Sequence, residues 1–204
     1  SAMIGGIVNN NSSGMACGTE FNSYHTLKSL RFILANGHIY NSDQTEDRAR
    51  FLEIESSLAS GLSRLKEFIN NKLHLVEKIR SKYRIKNTMG YSLNAFLDFD
   101  HPMDIFSHLI VGSEGTLAFL SEVILNTVPD PPQKSTGLFL FENTVHACDL
   151  VPHLAELGVS SLEYMDYASL LTSTYLKNPP IQKTNIPENS AGLLIEYEDN
   201  HLEQ

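Results

Sequence analysis

Residues 4–14 read IGGIVNNNSSG and residues 112–117 read GSEGTL. Glycine pairs let a flat ligand or a phosphate approach the main chain closely, because no Cβ stands in the way. In the first stretch, Asn and Ser side chains follow the glycines and, with the neighbouring N–H groups, make good partners for anions and carbonyl oxygens. In the second, two glycines flank an acid in what reads as a tight loop between strands at 109–111 and 117–127, a form suited to lying against a cofactor. Neither is a dinucleotide or nucleotide fingerprint. The first lacks the spacing G-x-G-x-x-G and a preceding strand, and no Gly-Lys-Ser/Thr follows the second. Taken singly, each is more often an ordinary turn than a ligand site.

Working outward, residues 26–35 (TLKSLRFILA) and 38–40 (HIY) flank Asn36-Gly37, which predicts a hairpin closed by a two-residue turn. Between 45 and 82 the period changes. Leu62, Leu65, Ile69, Leu73 and Val76 are spaced as one face of a helix, and Phe51, Ile54 and Leu58 form a shorter stripe before them, with Gly61 separating the two helices. A short helix is expected near 92–97 and a loop over 98–102. Val128-Pro129-Asp130-Pro131-Pro132 must be extended and places a domain boundary there. A strand (137–142), helix (145–157), strand (160–165), helix (167–175) and strand (191–197) follow, which is the opening of a second α+β unit. The expectation for 4–128 is an antiparallel sheet packed on the two helices of 45–82, with the two Gly-rich stretches on one face.

The chain has 204 residues, with 15 Lys and Arg against 24 Asp and Glu, a formal charge of −9. That balance argues against a nucleic-acid partner and against docking on an anionic membrane surface. Apolar runs are strand-length, far short of the ~20 residues that span a bilayer, and no signal-peptide order is present. Only Cys17 and Cys148 occur, too few for a disulfide framework or a zinc site, so a cytoplasmic setting is expected. Ser1-Ala2-Met3 reads as a cloning remnant, and both ends read as cuts through a larger fold.

Taken together, the motifs resemble a family. Ile4-Gly5-Gly6 through Asn11-Ser12-Ser13-Gly14, then Cys17-Gly18-Thr19, Leu34-Ala35-Asn36-Gly37 and Gly112-Ser113-Glu114-Gly115-Thr116-Leu117 occur in the order found in flavoproteins of the vanillyl-alcohol-oxidase type. These carry an FAD-binding domain of the PCMH type. The glycolate-oxidase and D-lactate-dehydrogenase branch is most similar. Residues 79–93 (IRSKYRIKNTMGYSL) are similar to its long bacterial members, which add a C-terminal iron–sulfur module. The resemblance runs from residue 4 to about 170.

The resemblance implies FAD. Residues 4–128 would be the C-terminal half of the FAD-binding domain, 134–204 the start of a substrate or cap domain, and the other half would precede residue 4. By position, Gly5, Gly6, Asn11, Ser13 and Gly14 would line the pyrophosphate and flavin, with Gly18 and Thr19 nearby. Gly112, Glu114, Gly115 and the backbone at Ala118 would hold the other end. Ile7-Val8-Asn9-Asn10, where the family varies, are not assigned. The implied chemistry is hydride transfer from a D-2-hydroxy acid (D-lactate, D-2-hydroxyglutarate or glycolate) to the flavin. The electron acceptor is undefined, and the protein is cytoplasmic or peripheral to a membrane through that acceptor. Catalytic residues are expected beyond Gln204. No metal ligand is assigned, and any iron–sulfur cluster lies outside this chain. As given, the chain is expected to bind FAD weakly and to be inactive, its half-site open or covered by a second copy in a homodimer. The competing reading is a non-catalytic scaffold that has kept the fold without the cofactor.

The remaining candidates are weaker. His146 and His153 share one helix face without a third ligand nearby, and no His pairs as H-x-H or H-E-x-x-H. Ser113 is not in a G-x-S-x-G elbow. Cys17, beside the first Gly-rich stretch, is more simply an inert thiol. Glu163-Tyr164-Met165-Asp166 resembles a recurring cap segment and reads as structural. Arg80, Lys82, Arg84 and Lys86 are a basic run, either solvated or facing cofactor phosphates or a partner module.

Overall fold

The computed structural model describes residues 2–14 and 17–199. The chain divides into two compact units, Ser1–Val128 and Pro129–Gln204, each α+β with an antiparallel three-stranded sheet.

In the first unit, β1 (Leu27–Ile33) is the central strand, between β2 (Ile39–Asn41) and β3 (Phe119–Leu125). The β1–β2 hairpin differs from the expected two-residue form. The Leu34 N–H donates to the His38 carbonyl, and the Gly37 N–H donates back to the Leu34 carbonyl. Three residues therefore make the turn, and only Gly37 takes a left-handed φ, of 86°.

The region 45–82 holds three helices rather than two: α3 (Thr45–Ile54), α4 (Ser56–Asn70) and α5 (Leu73–Lys82). The breaks fall at Glu55 and at Asn71-Lys72, and Gly61 sits inside α4. Its neighbourhood is open, so the helix tolerates it at about 1 kcal/mol relative to Ala. The expected stripe is not one buried face: Leu62 and Ile69 of α4 are buried, while Leu65 of the same helix and Leu73, beyond the break, are exposed.

The larger correction is at 109–111. This apolar run belongs to α7 (Pro102–Ile110), after the short α6 (Ala95–Asp98). Pro102 at the first turn and the His101 ring nitrogen, which accepts from the Met103 N–H, start α7. Met103, Ile105, Phe106, Leu109 and Ile110 are all buried in it. The sheet therefore packs on α7, on α3 and on α1 (Ile4–Asn9), with α4 and α5 further out. Phe32 of β1, Tyr40 of β2, Phe51 of α3 and Phe106 of α7 join at ring-centroid distances of 5.3–6.5 Å. Arg48 of α3 grips Asp104 of α7 with both guanidinium nitrogens, at 2.5 and 2.7 Å.

Glu55, at the α3–α4 break, ties the hairpin to the helices. One carboxylate oxygen accepts from the Asn36 amide (3.0 Å), His38 Nδ1 (2.6 Å) and the Tyr40 hydroxyl (3.0 Å). The His38 bond, with help from the amide and the phenol, holds the Glu55 carboxyl below its usual range. A depressed carboxylate stabilises the fold above its unfolded-state value of about 4.3 and loses that contribution as pH falls through the folded value. Glu55→Gln is therefore expected to lose less stability than the wild type between pH 6 and pH 3. Urea midpoints at the two pH values check this, and equal acid sensitivity contradicts it.

In the second unit, β6 (Ala191–Asp199) lies between β4 (Gln133–Phe141) and β5 (Ser161–Met165). Ala191, Leu193 and Ile195 cluster with Ala147 of α8 (Thr144–Glu156). Gly192 meets Leu170 of α9 (Tyr167–Ser173), where a Cβ would come within 2.8 Å of the leucine methyl. Alternate residues of β6 thus face different helices. In the segment 163–166, Asp166 caps α9 through the Ser169 N–H at 2.8 Å, and the Tyr164 and Thr144 hydroxyls are bonded at 2.9 Å.

Candidate functional site

The first Gly-rich stretch folds as α1 (Ile4–Asn9). The helix ends in a left-handed cap at Asn11, φ 45°. The Asn11 N–H returns to the Val8 carbonyl and the Ser12 N–H to the Ile7 carbonyl, at 2.9 Å each, a Schellman arrangement with Asn in the position usually taken by Gly. The Asn11 side chain is buried, and its oxygen accepts the Tyr24 N–H at 3.2 Å, where Tyr24 lies in the turn α2 (Ser23–Thr26).

The second stretch docks on that helix end. The Gly112 N–H donates to the Val8 carbonyl (3.0 Å) and the Glu114 N–H to the Asn9 carbonyl (2.8 Å). Carbonyls at a helix C-terminus have no partner within the helix, and here a turn about a hundred residues further along the chain supplies them. Three residues of the turn are left-handed: Gly112 (84°), Glu114 (55°) and Gly115 (73°). At Gly112 a Cβ would stand 3.4 Å from that of Asn11, at the edge of ordinary contact, so it is the left-handed conformation that calls for glycine there. The turn follows helix α7, not a strand as the sequence implied.

A third segment, not assigned from sequence, straps these two. The Ser92 hydroxyl donates to the Val111 carbonyl at 3.0 Å, the Tyr91 and Thr116 hydroxyls are bonded at 2.9 Å, and Lys86 Nζ donates to the Ser13 carbonyl at 2.6 Å. The Tyr83 hydroxyl holds the strap's own backbone, donating to the Tyr91 carbonyl and accepting the Leu93 N–H. Burial pushes its phenol pKa up. Its traces in the sequence are Lys86 in the basic run and Gly90-Tyr91-Ser92 within the stretch 79–93.

The expected residues thus come together as follows. The seam between α1 and the 112–116 turn joins Asn11, Gly112 and Glu114, with Gly115 in the same turn and Ala118 buried just beyond it. Gly5 and Gly6 lie in the first turn of α1, at the end away from the seam, where the leading N–H groups have no intrahelical acceptor. Ser13 and Gly14 follow the cap, and the Cys17 thiol bonds back to the Gly14 carbonyl at 3.1 Å. Gly18 is left-handed at 50°, and Thr19 lines a cavity of about 10 Å³, the size of one water molecule. A Cβ at Gly5, Gly6 or Gly14 would meet nothing within 4 Å, and none of the three has a positive φ. The chain itself does not require glycine at these positions. Buried side-chain oxygens of Asn9, Ser13 and Ser113 lack a hydrogen-bond partner.

Elsewhere in the unit, Tyr24 donates to Asp98 at 2.7 Å, and His108 stacks on Phe99 with centroids 3.9 Å apart. Both groups line an open cleft of about 520 Å³. Burial holds the His108 pKa down. His146 and His153 line a shallow cleft on α8. Among the described residues no group of three or more His, Cys, Asp or Glu is placed to hold a metal ion, and no helix is long and apolar enough to cross a membrane.

No protein-family model matches the chain. Over 99 residues it is 32% identical to glycolate oxidase subunit GlcD of Bacillus subtilis (strain 168), a stretch covering 48% of this chain and 20% of the relative. The fold is similar to that of alkyldihydroxyacetonephosphate synthase, with a TM-score of 0.55 over 96% of this chain at 14% identity, and 0.53 for a second crystal form. The chain spans 28% of that structure and about a fifth of the curated relative. The α+β architecture with antiparallel sheets is the shared feature.

Proposed function

We propose that this chain is part of an FAD-dependent oxidoreductase acting on a D-2-hydroxy acid, and that the first unit forms one side of the cofactor site. The observation that carries the reading is the set of glycines the protein does not itself need. Gly5 and Gly6 occupy consecutive positions of a helix, where each costs about 0.5–1 kcal/mol relative to Ala, and Gly14 follows the cap; all three face open space. Close approach of a ligand to the backbone would account for two such glycines in succession, where Gly61 of α4 stands alone. The similarity to a glycolate oxidase subunit supports a hydroxy-acid substrate.

When bound, FAD supplies the hydride acceptor for oxidation at the substrate's α-carbon. The contribution of this chain is positioning. Gly5, Gly6 and Gly14 would allow close contact with the main chain, and the N–H groups of the first α1 turn, which have no acceptor within the helix, would be free to donate to it. The pinned seam at Val8, Asn9, Gly112 and Glu114 fixes helix and turn as one body, so a ligand touching both meets a preorganised surface. The 2-hydroxy acid, its electron acceptor and any iron–sulfur centre engage parts of the protein outside the residues discussed.

Gly6→Ala separates this reading from a structural role. Alanine is the better helix former, so the variant is expected to be as stable as the wild type or up to about 1 kcal/mol more stable. It is expected to bind FAD at least about tenfold more weakly, equivalent to about 1.4 kcal/mol. Thermal melts and FAD fluorescence titrations check the two effects. Unchanged FAD affinity in a folded variant contradicts the assignment.

A further inference from the structure

We propose that the exposed face of α4 is a homodimer contact, in which α4 packs antiparallel on the same helix of a second copy of this chain. Leu58, Gly61, Leu65 and Phe68 follow one another at spacings of 3, 4 and 3, the spacing of the seam positions of a helix pair. This seam is not the face that α4 turns to its own core. Ala59, Leu62 and Ile69 are buried on that inner face, where Lys66 Nζ donates to the Phe99 carbonyl at 2.7 Å. Leu65 and Phe68 remain 52% and 51% exposed. With Gly61 and Arg64 they line an open groove of about 490 Å³. One exposed apolar residue is ordinary, whereas neighbouring large ones beside a groove mark a contact surface. None of these residues is among those assigned to the cofactor, so this inference is independent of the flavin reading.

The helix itself points to its occupant. Gly61 is a hole, since a Cβ there would meet nothing within 4 Å, and Phe68 is a knob. They lie two turns apart on one face of the helix. A second α4, turned end for end about a twofold axis passing between Arg64 and Leu65, sets its Phe68 over Gly61 and its Gly61 under Phe68. One face therefore carries both halves of the contact, which is the condition for an isologous dimer; a different partner would need only one half. The charges agree. Arg64 and Glu67 lie on one flank of the seam, exposed and without an ion pair among the described residues. The same axis brings the partner's Glu67 to that flank, so each guanidinium lies between its own carboxylate, three residues on, and the partner's. Lys72 Nζ stands 4.0 Å from the centroid of the Phe68 ring and orients it. A single helix pair buries less than the roughly 1,200–2,000 Å² of a stable interface, so the dimer is weak.

Sedimentation velocity of the 204-residue protein from roughly 10 μM to 1 mM reads the association. A reversible monomer–dimer equilibrium is expected, and Phe68→Glu and Gly61→Lys are each expected to weaken it about tenfold or more. Each replacement is a better helix former than the residue it removes, so a lost dimer does not reflect a lost fold. An equimolar mixture of the two variants is expected to regain most of the wild-type affinity. In that heterodimer one Gly61–Phe68 contact is intact, and the introduced acid and base face each other at the second. A protein that stays monomeric at about 1 mM overturns the proposal and leaves the groove to another chain or to a further segment of a longer protein. Dimerisation unchanged by either variant, or a mixture that associates no more tightly than the variants alone, overturns it as well.

Discussion

Phe32→Ala is expected to destabilise the first unit by about 3–5 kcal/mol, the range for removing a buried aromatic ring. Phe32 is fully buried. Its ring touches those of Tyr40, Phe51 and Phe106, at centroid distances of 5.9, 6.5 and 5.5 Å, so one deletion opens a cavity shared by β1, β2, α3 and α7. The surroundings are rings held by the hairpin, by Glu55 and by the Arg48–Asp104 pair, and they collapse poorly into the space. Against typical domain stabilities of about 5–15 kcal/mol, the variant should be unfolded or nearly so near 40 °C. Urea denaturation monitored by circular dichroism checks it. A loss below about 1 kcal/mol contradicts this account of the core.

Asn11→Ala should cost about 2–5 kcal/mol, from two sources. Alanine in the left-handed region is disfavoured by about 1–2 kcal/mol, and the buried Tyr24 N–H loses its acceptor, worth about 1–3 kcal/mol. Asn11→Gly separates them: it relieves the conformational cost and keeps the loss of the acceptor, so it should fall between alanine and wild type. The consequence reaches the proposed site, because the left-handed cap at Asn11 directs the chain from α1 toward Ser13 and Gly14, beside the seam with Gly112. Chemical denaturation of the three proteins gives the ranking. An alanine variant within about 0.5 kcal/mol of wild type, or glycine no better than alanine, contradicts it.

These two positions also mark what was legible in the sequence. The hairpin was readable because Asn36-Gly37 stands between two apolar runs; its loop length was not, because Asn36 takes an ordinary φ and only Gly37 turns left-handed. The elements of the second unit stood out since turn residues and prolines punctuate them. The run Leu109–Val111 misled because three consecutive apolar residues, here the last two of α7 and the residue that ends it, read the same in a strand as at the end of a buried helix. The start signal of α7 is Pro102 after His101. Gly61 misled in the opposite direction, since an exposed helix interior tolerates one glycine.

For the candidate site, the two Gly-rich stretches were visible as residue types, and their juxtaposition follows from hydrogen bonds between Val8 and Gly112 and between Asn9 and Glu114, which no local pattern encodes. Asn11 was singled out as a ligand contact from its place in the stretch. Its side-chain oxygen is engaged with Tyr24, so its part in the site is to shape the loop. The strap of Lys86, Tyr91 and Ser92 was not legible, because it has no regular structure from residue 84 to 94 and works through side chains that look ordinary one at a time.

The most direct test of the central claim is an FAD titration of the 204-residue protein followed by amide ¹H–¹⁵N spectra. Donors from one side of a cofactor site leave out several charge-assisted hydrogen bonds, each worth about 1.5–3 kcal/mol, and a deficit of about 4 kcal/mol weakens binding roughly a thousandfold. The account therefore predicts weak, saturable binding in the micromolar-to-millimolar range, with shifts concentrated in residues 5–14 and 112–118. Shifts confined to other surfaces, such as the exposed face of α4 around Leu65 and Phe68 or the second unit, or no shift at all at millimolar FAD, would contradict it.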